Sequence, residues 1–265
     1  MKKGILLAAA ILLSTAGFAR AEEGALSGTF DVAFLSSRIW RGFDLYPNDH
    51  AGYEGSLDLN FFDTGFGAKL LHARAFGSGY ENAEELDMTL YYGKSLFEKE
   101  AYATDYKLGW VYYCYPDQPV RAAHMQELFG TISLPEVCPF GVVPSYTIVC
   151  MWPAKSRSTV SGNGGWLHIM GLGYDLAVPG FLPEIPEQIL HLSAELVYND
   201  GAAPGGLGPM TVDHDWSHGL LGISTDFDIT ENLALTPALY HQLTMDKSVN
   251  PEDEWWVTVG LSYKF

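Results

Sequence analysis

Long apolar runs are missing from nearly all of this chain. Past its first residues, charges, Gly or Pro interrupt every candidate before it reaches the roughly 20 residues that a membrane-spanning helix requires. That absence excludes a bundle of membrane helices. Basic charge is also scarce, with 15 Lys and Arg against 32 Asp and Glu and a formal charge of −17. So acidic a chain is a poor partner for nucleic acid. Cysteine is limited to Cys114, Cys138 and Cys150, whose odd number and spacing match neither a metal motif nor a compact disulfide framework. Cys138 and Cys150 fall at opposite ends of one expected strand, and a Cys114–Cys150 bond would need loop distortion. Unpaired, small apolar cysteines are the expectation. No linker, charge block or repeat divides the sequence, so residues 22–265 read as one domain.

The one apolar stretch opens the chain. Lys2 and Lys3 precede the run Ile5–Leu13, and Ala19-Arg20-Ala21 offers a small-residue cleavage site, the pattern of a secretory signal. Residues 1–21 are therefore expected to be removed, leaving a mature chain that starts at Glu22. The segment carries three bases and no acid, so the mature charge becomes −20, from 12 Lys and Arg against 32 Asp and Glu.

What the chain has in abundance is strict alternation over segments of about ten residues, as expected when one face of a strand meets lipid and the other a polar lumen. Tyr53, Gly55, Leu57, Leu59 and Phe61 alternate with Glu54, Ser56, Asp58 and Asn60. Leu86, Met88, Leu90 and Tyr92 alternate with Glu85, Asp87, Thr89 and Tyr91. Leu190 to Asn199 and Trp255 to Phe265 repeat the pattern. Segments of this kind lie near residues 28–40, 52–62, 66–76, 85–95, 101–114, 125–134, 140–152, 165–175, 189–199, 215–228, 232–243 and 254–265. The fold class is thus all-β: a transmembrane antiparallel up-and-down β-barrel of about 12 strands, with both ends of the chain on the periplasmic side.

Connections and aromatics test that topology independently. Asp63-Thr64-Gly65 and Asp228 to Glu231 form short inner turns, the Gly/Pro-rich stretch from Asp200 to Asp215 falls outside, and only the connection from Ala177 to Gln188 is long for an inner turn. Trp40, Trp110, Trp152, Trp166, Trp216, Trp255 and Trp256 fall at or near the outer strand ends, while Phe30, Phe61, Phe66, Tyr174, Phe227 and Phe265 gather at the other. Two aromatic girdles are the mark of a barrel in a bilayer, and aromatic residues make up 14% of the chain. The alternation fails in two segments. Lys69 lies on the opposite face from His72 and Arg74, which leaves Arg74 to meet lipid phosphates. In residues 165–175, Trp166, His168 and Met170 compete for the outward face with Leu167 and Ile169, as a bulge or a plug against this wall would explain.

Several strings in order resemble the TorF family of porins across most of the mature chain's first half, up to about Pro135. Ser37-Arg38-Ile39-Trp40-Arg41-Gly42 resembles that family's Ser-x-x-x-Arg-Gly stretch at the end of the first strand. Glu85-Leu86-Asp87 with Tyr91, Tyr112-Tyr113-Cys114-Tyr115-Pro116 and Glu127-Leu128 resemble its fourth, fifth and sixth strands. The likeness implies an outer-membrane porin. A terminal Phe265 closing an alternating strand likewise resembles the signal by which the barrel assembly machinery recognises its clients.

The chemistry then lies in the lumen. Arg41, Glu54, Glu85, Asp87, Glu127 and Glu195 are expected to point inward in the outer half, and Asp31, Asp58, Asp105, Lys107, Asp226 and Lys264 to line the rest. Twelve strands at ~4.8 Å spacing and ~40° tilt enclose a backbone diameter of about 24 Å, too wide for side chains alone to seal. A path for small hydrophilic solutes with a cation preference is the expected function, with outer-membrane lipid and lipopolysaccharide around it. No cofactor or metal is expected: the loop acids Asp44, Asp49, Asp213, Asp215, Glu252 and Asp253 miss any EF-hand spacing. The rival classes are a surface receptor or adhesin and a lipid hydrolase, which would need a Ser–His pair. Ser217-His218 is the nearest pair, but neighbours on a regular strand point to opposite faces.

Overall fold

The computed structural model describes residues 26–48, 50–181 and 186–265; the expected signal segment and Asp49 lie outside them. In chain order the elements are β1 (Ser27–Leu35), β2 (Ile39–Trp40), β3 (Phe43–Asp44), β4 (Gly52–Asn60), β5 (Phe66–Ala75), β6 (Glu85–Leu96), β7 (Thr104–Cys114), the short helix α1 (Val120–Ala123), β8 (Met125–Ser133), β9 (Val143–Pro153), β10 (Gly165–Pro179), β11 (Glu187–Asp200), β12 (His214–Ser224), β13 (Phe227–Asp228), β14 (Leu233–Thr244) and β15 (Glu254–Lys264). All pairings in the wall are antiparallel between neighbours, and the sheet closes where β1 meets β15 and β12 meets β14. With the two-residue β13 set aside, the result is a closed barrel of twelve strands. Closure leaves no strand edge unpaired, which is what lets backbone polar groups sit at the depth of a bilayer.

Alternation is realised on the wall. Val32 and Phe34, Met88 and Leu90, and Val257, Val259 and Leu261 are exposed on the outside, while their sequence neighbours face the lumen. Phe66 and Tyr92 pack against each other with tilted rings near the inner end and Trp166, Trp216 and Trp255 stand exposed near the outer end. In β5, His72 and Arg74 face outward. Tyr53 Oη lies 3.0 Å from His72 Nδ1, and Glu84 takes both His72 Nε2 at 3.1 Å and Arg74 at 3.2 Å, so Arg74 is paired within the protein.

Three expectations about strand ends are corrected. The first strand does not run to residue 40 but stops at Leu35, and the chain turns into the lumen as the hairpin β2–β3. Trp40 consequently leaves the outer girdle and packs inside, and Trp256, on the inward face of β15, is buried against Tyr240. The long inner connection is shortened, because β10 and β11 continue pairing to Pro179 and Glu187.

Residues 201–212 are also not a solvated outer loop. Ala202, Ala203 and Val212 are buried, and Asn163 organises the segment by donating from Nδ2 to the carbonyls of Pro204 and Gly208 while its Oδ1 accepts from Met210 N. All three cysteines are free thiols.

Candidate functional site

The outer half of the lumen is filled by the hairpin β2–β3, and its sequence explains the shape. Arg41 and Gly42 take φ of 50° and 95°, the two positive values that a type I′ two-residue turn requires. A side chain at position 42 would strike the His218 ring at 2.6 Å, so the tip fits only as glycine. On one side of the hairpin Trp40 packs edge-on against Tyr113, with ring centroids 5.8 Å apart, and joins a core of Val111, Val149, Leu167 and Val197. These are inward wall positions. Leu167 therefore faces inward with Ile169 because an apolar plug lies against β10, which resolves the irregular register of that strand. On the outer side, Phe43, Leu45 and Tyr46 form a second core with Ala75, Ala203 and Val249.

The same stretch of wall also carries charge, with Val111 of the apolar core paired in register with Glu127. Arg38, 5% exposed, donates to Glu85 Oε2 at 2.5 Å and lies 3.6 Å from Glu54; Tyr115 donates to the other oxygen of Glu85. Arg41 forms a two-pronged pair with Glu127, 2.7 and 2.9 Å long, and Tyr113 donates to the same carboxylate at 2.6 Å. The Arg41 guanidinium also covers the Trp40 ring at 4.7 Å. Burial by itself lowers the pKa of a guanidinium. Around Arg38 that effect is outweighed by Glu85, Tyr46, Glu54 and Asp87, and around Arg41 by Glu127, so both are held above their ordinary value and stay charged. Paired planar donors in a dry setting make directional clamps.

Each residue expected to line the lumen can now be placed. Glu85, Asp87 and Glu127 are buried under the hairpin, Glu54 flanks Arg38, and Glu195 faces inward from β11 with no ion pair among the described residues. Arg41 faces the lumen from the hairpin tip instead of from a wall strand. In the inner half, Asp31 accepts from Ser56 at 3.3 Å and Asp58 from Tyr91 at 2.6 Å. Asp105 accepts from Ser95, Lys107 covers the Tyr91 ring, Asp226 accepts from Thr236, and Lys264 stands across Thr29 from Asp58. The inner half is open, with a cavity of about 490 Å³. Arg38, the more deeply buried of the two clamps, is absent from the expected set. Its place on an overlong first strand hid it.

One exclusion made from the sequence is overturned. Ser217 and His218 do hydrogen-bond, Oγ to Nδ1 at 2.8 Å. Val197 pairs with His218 and Tyr198 with Trp216, so Ser217 is the extra residue of a β-bulge and turns away from the strict two-residue period. Both side chains are buried on the lumen side beneath Gly42. Among the described residues no carboxylate or amide is bonded to His218, and no group of three or more His, Cys, Asp and Glu could hold a metal ion.

No family model matches the chain, and no curated protein matches it either. Solved structures do. An outer membrane channel from Pseudomonas putida F1 aligns with 94% of this chain and 98% of its own at 11% identity and a TM-score of 0.53. The NanC porin aligns with 91% of this chain and all of its own at 10% identity and a TM-score of 0.51. The fold is that of the outer-membrane β-barrels. At these identities the likeness speaks for the fold alone, and the hairpin and its clamps are read from this chain's own residues.

Proposed function

We propose that the protein is an outer-membrane channel for small hydrophilic solutes, held closed at its outer end by the ion-paired hairpin β2–β3. The observation that carries this reading is the division of the lumen: a wide polar inner half under an outer half stopped by a separate hairpin, which the wall does not need in order to close. The channel names of the two solved relatives agree with it. Once the hairpin is withdrawn and takes Arg38 and Arg41 with it, Glu54, Glu85, Asp87, Glu127 and Glu195 remain on the wall, and the lumen prefers cations. Recording in planar bilayers tests the proposal: wild type should show small, rare openings, and variants that weaken the clamps should show large, sustained ones.

Lipid and the assembly machinery are the expected partners. Phe265 and Gly28 exchange backbone hydrogen bonds of 3.0 and 2.9 Å across the β1–β15 seam, and the Phe265 ring stacks with Tyr263. Deleting Phe265 removes both the last bonds of the seam and the aromatic terminus. Outer-membrane yield should fall severalfold, as read by fractionation and by the shift in gel mobility between unheated and boiled samples. Undiminished yield would remove this role for the terminus.

The Ser217–His218 bond favours a second reading, an outer-membrane lipid hydrolase. The pair faces the lumen, away from lipid, and among the described residues no third group is bonded to the imidazole. The folded protein should therefore show no lipase or deacylase activity in detergent micelles, and Ser217→Ala should change nothing. Activity lost in Ser217→Ala would replace the channel reading with the enzyme.

A further inference from the structure

The inner cavity presents both signs of charge without pairing them. Asp58 and Asp105 line it together with Lys107 and the stem of Lys94, whose ammonium donates to the Asp63 carbonyl at 2.9 Å, yet among the described residues neither aspartate lies within ion-pair distance of Lys107, whereas Arg38 and Arg41 in the outer half of the lumen are paired. Free side chains of opposite sign on one wall drift together, so separation needs a cause. Tyr91 supplies it. The ring face holds the Lys107 ammonium 3.7 Å from its centroid, and the hydroxyl at the ring's edge donates to Asp58 at 2.6 Å and Asn60 at 3.0 Å. The ring itself cannot turn aside, because it fills the space above Gly67, where a side chain would strike it at 2.2 Å. Ser95 likewise fixes Asp105.

We infer that this cup is a binding site for small zwitterions, molecules of amino-acid type that carry an ammonium and a carboxylate. The carboxylate is taken by Lys107, and the ammonium by Asp58 and Asp105. A simple anion meets the two aspartates and a simple cation meets Lys107, so a singly charged solute gains one contact and suffers one repulsion. At about 490 Å³ the cavity has the size of small-molecule sites, roughly 300–1,000 Å³. The inference rests on the channel reading for the route by which solute arrives. Binding at the cup is measured at equilibrium, so its failure is separable from a failure of conduction.

The test is calorimetric titration of the folded wild-type protein in detergent with alanine, with glycylglycine, and with propionate and ethylammonium as singly charged counterparts. Saturable binding of at least one zwitterion is expected, at least tenfold tighter than either counterpart. Lys107→Gln and Asp58→Asn should each weaken the zwitterion at least tenfold, and in opposite senses: the first should turn the remaining preference toward ethylammonium, the second toward propionate. Tyr91→Phe keeps the ring under Lys107 but releases Asp58, and should weaken binding severalfold. No saturable zwitterion binding by wild type, equal binding of all four probes, or variants without effect would each overturn the inference. The wild-type comparison stands even where a variant fails to fold.

Discussion

Replacing Arg38 and Arg41 together by glutamine should raise the mean conductance per channel at least tenfold, by raising the open fraction, while leaving the barrel intact. Both guanidiniums clamp the hairpin to the wall through buried carboxylates, Arg38 to Glu85 and Arg41 to Glu127. Breaking a buried pair by removing one partner costs about 3–5 kcal/mol, since the other charge stays behind in a dry place. About 1.4 kcal/mol already shifts an equilibrium tenfold. The closed state bears this penalty, because once the hairpin leaves, the abandoned glutamates are solvated. The wall does not bear it. Its strands are joined by the continuous antiparallel ladder, which includes neither arginine. Bilayer recordings with unheated and boiled gel mobility as the folding control would check both halves. Unchanged conductance in a folded variant would show that the hairpin is held by its apolar packing or does not gate.

The second large effect is on selectivity, and it depends on which side of the clamp is cut. The arginine variant opens a lumen in which Glu54, Glu85, Asp87, Glu127 and Glu195 have lost both bases, so its preference for cations should be strong. Glu85→Gln with Glu127→Gln opens the same lumen, its arginines likewise withdrawn with the hairpin, but leaves only three acids on the wall, so its preference should be weaker. The two open lumens differ by two charges at nearly equal side-chain volume. Raising salt from 0.1 to 1 M shortens the screening length from about 10 Å to about 3 Å and should compress the difference. Reversal potentials across a salt gradient measure it. Equal selectivity in the two open variants would mean that these acids do not face the conducting path.

How far the sequence could be read follows from which physical rule governs each element. The wall was legible because alternation of period two is enforced by lipid on one side along its full length, from Tyr53–Phe61 to Trp255–Phe265. Inward acids were legible for the same reason: Glu85 and Asp87 sit on one face whatever fills the lumen. The hairpin was not, since Ile39-Trp40 and Phe43-Asp44 are too short for any period to show. Its one local mark was Arg41-Gly42 between apolar residues, a turn signal weaker than Asn-Gly or Asp-Gly. Leu167 and Ile169 did register the plug, as an apolar inward row with no other cause. Ser217 escaped because a bulge breaks the period by a single residue and leaves no compositional trace.

Closure by the hairpin is tested most directly by solute flux. Liposomes carrying the wild-type protein should swell in a small uncharged sugar scarcely faster than empty ones, and liposomes carrying equal amounts of the folded Arg38→Gln, Arg41→Gln variant should swell at least ten times faster. Rapid swelling with wild type, or equal rates for the two proteins, would contradict a channel closed by its own ion-paired hairpin.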